Sequence, residues 1–144
     1  MKTVEASMIQ AIRDLIGDAS HAGRKLKCGN TEVSQTHHGI AHTPGYQRII
    51  SVRLHGNEIA AIRPAENTLW VSDCGWQTTT TKSRLNALIG ALTRHGNDAR
   101  ISQRNGEWLQ INKGCAYAWK GQDVFPVALD ADNWLLRTAE RLAA

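Results

Sequence analysis

An α+β fold is predicted for this chain: a single domain over residues 1–144, with an antiparallel sheet of about five to seven strands, a central helix packed across it, and flanking N- and C-terminal helices. Three observations carry that prediction. Gln47-Arg48-Ile49-Ile50-Ser51-Val52-Arg53-Leu54 alternates, with Ile50, Val52 and Leu54 on one face and Ser51 and Arg53 on the other, which is the period of a half-buried strand. Leu85, Leu88, Ile89 and Leu92 fall at i, i+3, i+4 and i+7, the period of an amphipathic helix. Tight-turn signals, His55-Gly56-Asn57 and Asn105-Gly106, join apolar runs over distances that only hairpins span.

In chain order, Val4, Met8, Ile12, Leu15 and Ile16 line one helical face, with Lys2, Glu5, Gln10, Arg13 and Asp14 elsewhere; Gly17 supplies the stop, so a first helix is expected over residues 3–16. Residues 17–30, with Arg24, Lys25 and Lys27 close together, read as a basic linker. Residues 31–35 form a weak strand pattern, and residues 37–45 read as a loop broken by Gly39, Pro44 and Gly45. The strand ending at Leu54 turns into residues 58–63, stopped by Pro64, and residues 68–72 complete an antiparallel meander. The central helix is expected over residues 80–95, with Gly96-Asn97 as its stop. A second hairpin, residues 99–104 and 107–111, is followed by a strand at 115–119 and an irregular segment, 121–127, around Phe125-Pro126. Residues 132–144 read as a C-terminal helix, N-capped by Asp130 or Asp132.

Seventeen basic against thirteen acidic residues give a net charge of +4, which favours anionic partners. Cys28, Cys74 and Cys115 are odd in number and form no CxxC pair, so reduced thiols in a cytoplasmic protein are expected. Charges break up the apolar residues of the N-terminus, which argues against a signal peptide, and no run is long enough to cross a membrane.

The stretch with most chemical promise joins the meander to the central helix. Helix N-termini present N–H groups without partners and attract anions. Thr78, Thr79, Thr80 and Thr81, with Lys82 and Arg84 in the first turn, would complete a phosphate site, whereas the simpler reading is that one threonine caps the helix. Gly75 stands seven residues before Lys82 with no second glycine between, so a P-loop is disfavoured. Arg48 and Arg53 on one strand pair, and Arg100, Arg104 and Lys113 near the second hairpin, would contact phosphates beside Trp70, Trp76, Trp108 and Trp119; a core role is the alternative for each tryptophan. His37, His38 and His42, joined by Cys28, lack the second ligand pair of a structural zinc site, so no metal and no cofactor are expected. Cys74 with His55 would make a nucleophile and base, although no local signature supports that pair and Cys74 serves equally as a small buried hydrophobe. The acidic residues are scattered and propose no catalytic carboxylate pair.

Leu54-His55-Gly56-Asn57-x-Ile59-Ala60, followed by Gly75-Trp76-x-Thr78-x-Thr80-Thr81-Lys82-x-Arg84-Leu85-Asn86, resembles a group of small bacteriophage-encoded proteins of unassigned function. The resemblance covers residues 31–111, continues into the aromatic hairpin at Trp108, and leaves both terminal helices outside. It implies a viral accessory protein acting inside a bacterial host, and it brings no catalytic residue with it. The leading expectation is a non-enzymatic binding module for a phosphate-bearing ligand, nucleic acid or nucleotide. An inhibitor of a host protein or defence complex is the second, because surplus tryptophans suit interfaces. An enzyme is the third, to be raised by a cleft joining Cys74, His55 and the threonine run.

Overall fold

The computed structural model describes residues 3–40, 43–93 and 99–128. Helix α1 (Thr3–Gly17) leads into β1 (Gly23–Cys28), β2 (Thr31–His38), β3 (Gln47–Leu54), β4 (Asn57–Arg63) and β5 (Thr68–Ser72). Helix α2 (Thr79–Leu92) follows, then β6 (Ala99–Arg104), β7 (Glu107–Asn112), β8 (Cys115–Ala118) and β9 (Gln122–Pro126). All strand pairings are antiparallel. Six strands form one sheet in the order β1-β2-β3-β4-β5-β9, and β6-β7-β8 form a second, three-stranded one. This is the expected α+β domain, with its strands divided between two sheets.

The core follows the predicted periods. Ile50 and Val52 of β3 are fully buried with Val33, Ile62, Leu69 and Val71 from the same face of the large sheet. Leu85, Leu88, Ile89 and Leu92 of α2 and Met8, Ile12 and Leu15 of α1 close over that face as one cluster. Ile101 and Trp108 of the small sheet join it. The opposite face of β3 carries the exposed Arg53, between Glu32 of β2 and Glu58 of β4.

Four local expectations are corrected. Residues 23–28 form edge strand β1 within the stretch read as a linker; its charges and a register slip between Arg24 and Leu26 hide the alternation. His37 and His38 belong to β2, paired with Arg48 and Gln47, where a loop was expected. The segment around Phe125-Pro126 is strand β9, recruited by β5 with Phe125 opposite Leu69. Helix α2 ends at Leu92, because Thr93 adopts extended geometry and bridges Val127. The expected C-terminal helix at 132–144, and the Gly96-Asn97 stop, lie outside the described residues.

Two further details position the site. The register of β3 and β4 slips between Val52 and Arg53, leaving Ile59 as the extra residue of β4; such a bulge re-aims a side chain. Arg48 reaches from β3 to the C-terminal end of α1, donating from Nη1 to the Leu15 carbonyl at 3.0 Å and to Gln35 Oε1 at 3.3 Å. A cation on the terminal carbonyls of a helix offsets their partial negative charge.

Candidate functional site

The β5–α2 connection is built around Asp73, which is only 5% exposed. Its Oδ1 accepts the Gly75 N–H at 2.8 Å, and its Oδ2 accepts from Gln77 Nε2 at 3.2 Å and Trp119 Nε1 at 2.9 Å. The Trp76 N–H returns to the Asp73 carbonyl at 2.8 Å, closing a tight turn over Cys74 and Gly75. Cys74 takes φ 54° there, a left-handed value that is costly for a residue with a Cβ. The turn then holds Trp76 outward, 62% exposed.

Thr78 is the N-cap of α2. Its backbone is extended, its Oγ1 accepts the Thr81 N–H at 3.1 Å, and the Thr78 and Thr81 hydroxyls meet at 2.9 Å. Thr81 is 2% exposed, so this cap is also the partner of a buried hydroxyl. The Lys82 N–H bonds the Thr78 carbonyl at 3.0 Å, which leaves the N–H groups of Thr79 and Thr80 without an acceptor among the described residues.

Between this helix start and the β3–β4 turn lies a cavity of about 450 Å³, lined by Leu54, His55, Asn57, Ile59, Asp73, Cys74, Trp76, Thr78, Thr80 and Thr81. That volume lies within the range of small-molecule sites, about 300–1,000 Å³. The lining is apolar at Leu54 and Ile59, the bulge residue, and polar along the threonines, His55 and Asn57. The cleft therefore does join Cys74, His55 and the threonine run. Within it, however, the Cys74 thiol donates to the Glu58 carbonyl at 2.8 Å. That bond occupies the thiol proton and holds the sulfur against the main chain of β4.

Of the residues picked from the sequence, Thr78, Thr80 and Thr81 line this cavity, and Thr79 is exposed on the first turn of α2. Lys82 lies in that turn but reaches Gln103 Oε1 at 3.4 Å. Arg84 points into the interface of α1 and α2, where its Nη1 meets Glu5 Oε1 at 2.6 Å and its Nε donates to Thr31 Oγ1 at 3.0 Å. Glu5 also accepts from the Ser83 hydroxyl and is 2% exposed, although the sequence placed it on the polar face of α1. Burial pushes the Glu5 carboxyl up, but the Ser83 hydroxyl, its own backbone N–H and the Arg84 charge hold it on balance below the ordinary value of 4.5. Arg48 and Arg53 of β3 stand apart from the cavity, Arg48 bonded to the C-terminal end of α1 and Arg53 on the outer sheet face. Leu54, His55, Asn57, Ile59, Asp73, Cys74 and Trp76 complete the lining and were not among the expected phosphate ligands; the Leu54-to-Ala60 motif was the signal for the first four, and nothing in the sequence marked Asp73.

The remaining chemistry-bearing residues are occupied or scattered. His37 bonds the Tyr46 hydroxyl through Nδ1 at 2.5 Å and donates from Nε2 to the His21 carbonyl at 2.9 Å. Among the described residues no group of three or more His, Cys, Asp or Glu side chains is placed to hold a metal ion; His42 lies outside them. Trp108 and Trp119 are buried, whereas Trp70 is half-buried and donates to Gln122 Oε1 at 3.0 Å. No described helix is long and apolar enough to cross a membrane.

Residues 1–125 match the family model described as Kyanoviridae Gp96 protein. The match takes in α1, which the resemblance over residues 31–111 leaves outside. No curated protein and no solved structure matches the chain.

Proposed function

The chain belongs to the Kyanoviridae Gp96 protein family, a bacteriophage family, and we propose that this phage accessory protein binds a small phosphate-bearing ligand of nucleotide size inside the bacterial host cell. The observation that carries the reading is the cavity at the start of α2. Free N–H groups and threonine hydroxyls at a helix N-terminus favour an anion, and the adjoining apolar wall at Leu54 and Ile59 suits a flat organic group. Trp76, exposed beside it, offers a stacking surface for a base. Eight of the ten lining residues come from the two motif segments, Leu54-to-Ala60 and Gly75-to-Asn86, which supports a shared role for those segments. A nucleotide is preferred over nucleic acid because Arg48 and Arg84 are engaged inside the fold and Arg53 is flanked by glutamates.

The test is calorimetric titration with inorganic phosphate and with ribo- and deoxyribonucleotides at low salt, alongside single- and double-stranded DNA and RNA over a salt series. Nucleotide binding that is lost in Thr80→Ala and Trp76→Ala, with melting unchanged, is the expected outcome. Silence across the whole panel would remove the reading, and steeply salt-dependent binding to nucleic acid alone would redirect it. The cleft also favours a second reading, an enzyme using Cys74 and His55. It requires the Cys74 thiol to leave the Glu58 carbonyl, and labelling by iodoacetamide no faster than an ordinary buried thiol would exclude it.

A further inference from the structure

The described residues contain four sheet edges, β1 and β9 on the large sheet and β6 and β8 on the small one. An open edge is a template for another strand, and folded proteins normally block theirs. Three of these four are blocked, each by a different device. Edge β1 carries Arg24, Lys25 and Lys27 and a register slip. Edge β9 ends in Pro126, which has no N–H, and the Val124 N–H is taken by Asp123 Oδ1 at 2.8 Å. Edge β6 is covered by the Asn86 side chain of α2. Its Oδ1 accepts the Ile101 N–H at 2.7 Å and its Nδ2 donates to the Ile101 carbonyl at 2.9 Å, so one amide stands in for a neighbouring strand.

Edge β8 has none of these. Cys115, Ala116, Tyr117 and Ala118 are all exposed, uncharged and free of proline, and Tyr117 is 58% exposed. The direction of its hydrogen bonds follows from the ladder. The Trp119 N–H bonds the Trp108 carbonyl at 3.1 Å, so alternate residues, Cys115 and Tyr117, also turn their backbone groups toward β7. Ala116 and Ala118 therefore turn an N–H and a C=O outward, at positions whose methyl side chains obstruct nothing.

We propose that β8 is a docking edge for an extended segment of a partner protein, added as a fourth strand of the small sheet and carrying acidic residues toward its ends. The charge requirement comes from Lys113 and Lys120, both exposed, which flank the uncharged strand. It also excludes a second copy as the intended occupant. Antiparallel pairing of two copies about Tyr117 brings Lys113 of one beside Lys120 of the other at both ends, a like-charge juxtaposition. An acid-flanked strand meets the same lysines with opposite charge. Main-chain bonds to Ala116 and Ala118 would provide affinity, and the Tyr117 ring a side-chain contact.

The test selects short random peptides on the full chain and counter-selects on Ala116→Pro. Proline there removes an outward N–H and no bond to β7, so the variant keeps its fold; Ala118→Pro serves if it does not. Acid-rich, β-branched peptides should be enriched, should bind either proline variant about tenfold more weakly or worse, and should slow hydrogen exchange at Ala116 and Ala118. Enrichment of nothing, enriched peptides that bind both proline variants unchanged, or a dimer that Ala116→Pro dissolves would each overturn the proposal. None of these readouts depends on the cavity.

Discussion

Thr78→Ala is the sharpest test of how the threonine run divides its work. The substitution removes the acceptor of the Thr81 N–H and the partner of the Thr81 hydroxyl, both in a residue 2% exposed. Loss of an N-cap costs about 1 kcal/mol, and an orphaned buried hydroxyl adds about 1 kcal/mol. A chain of 144 residues loses about 0.3 kcal/mol per degree near its midpoint, so the melting temperature should fall by about 7 °C. Thr78→Ser keeps the cap and should stay within about 2 °C of the parent by the same conversion. Thr80→Ala removes an exposed hydroxyl from the first turn, replaces threonine with the better helix former, and should not lower melting at all. Calorimetric melts of the three variants decide the matter. If Thr78→Ala melts with the parent, or Thr80→Ala melts well below it, the assignment of cap and cavity wall is wrong.

Further outcomes at three residues follow from the same geometry. Glu5→Ala leaves the half-buried Arg84 guanidinium with only the Thr31 hydroxyl and should cost about 3 kcal/mol in urea unfolding. The Glu5 carboxyl is depressed, so its contribution is full above pH 4.5 and is lost as pH falls through the lower folded value; Glu5→Gln should flatten that part of the acid limb. Asn86→Ala uncovers both backbone groups of Ile101, which should cost about 1–3 kcal/mol and produce concentration-dependent association in sedimentation velocity through the opened β6 edge. Trp119→Phe removes one donor from Asp73 and should cost about 1 kcal/mol by thermal melt.

What the sequence disclosed, and what it withheld, divides along the range of the interactions. Strand β3 and the stripe on α2 were legible because alternate or 3.6-spaced residues face one interior. That one threonine of the run caps α2 was legible because a cap bonds only to its own helix; that it is Thr78 was not. Strands β1 and β9 were not, since a lysine-rich edge and a segment ending in proline hide the period, and β9 is recruited by β5 from some fifty residues away. Arg84 and Arg48 read as free cations because their partners, Glu5 and the Leu15 carbonyl, are remote in the chain. The cavity was half legible: its threonines drew attention by composition, and the opposing wall came from the β3–β4 turn and the Ile59 bulge.

Asp73 has a consequence for how the molecule comes apart. Among the described residues the two sheets share no ladder, and in many proteins that would let the smaller one open first. Here a single carboxylate ties the end of β8 to the β5–α2 turn through Trp119, while Gln110 of β7 donates to Asp123 of β9 at 2.5 Å. Ala99, Ile101 and Trp108 also share one apolar interior with the large sheet. Opening the small sheet alone would wet that interior and strand Asp73 without its indole donor. Both sheets should therefore melt in one cooperative transition, with amides of β6 and β7 exchanging only as often as those of β3.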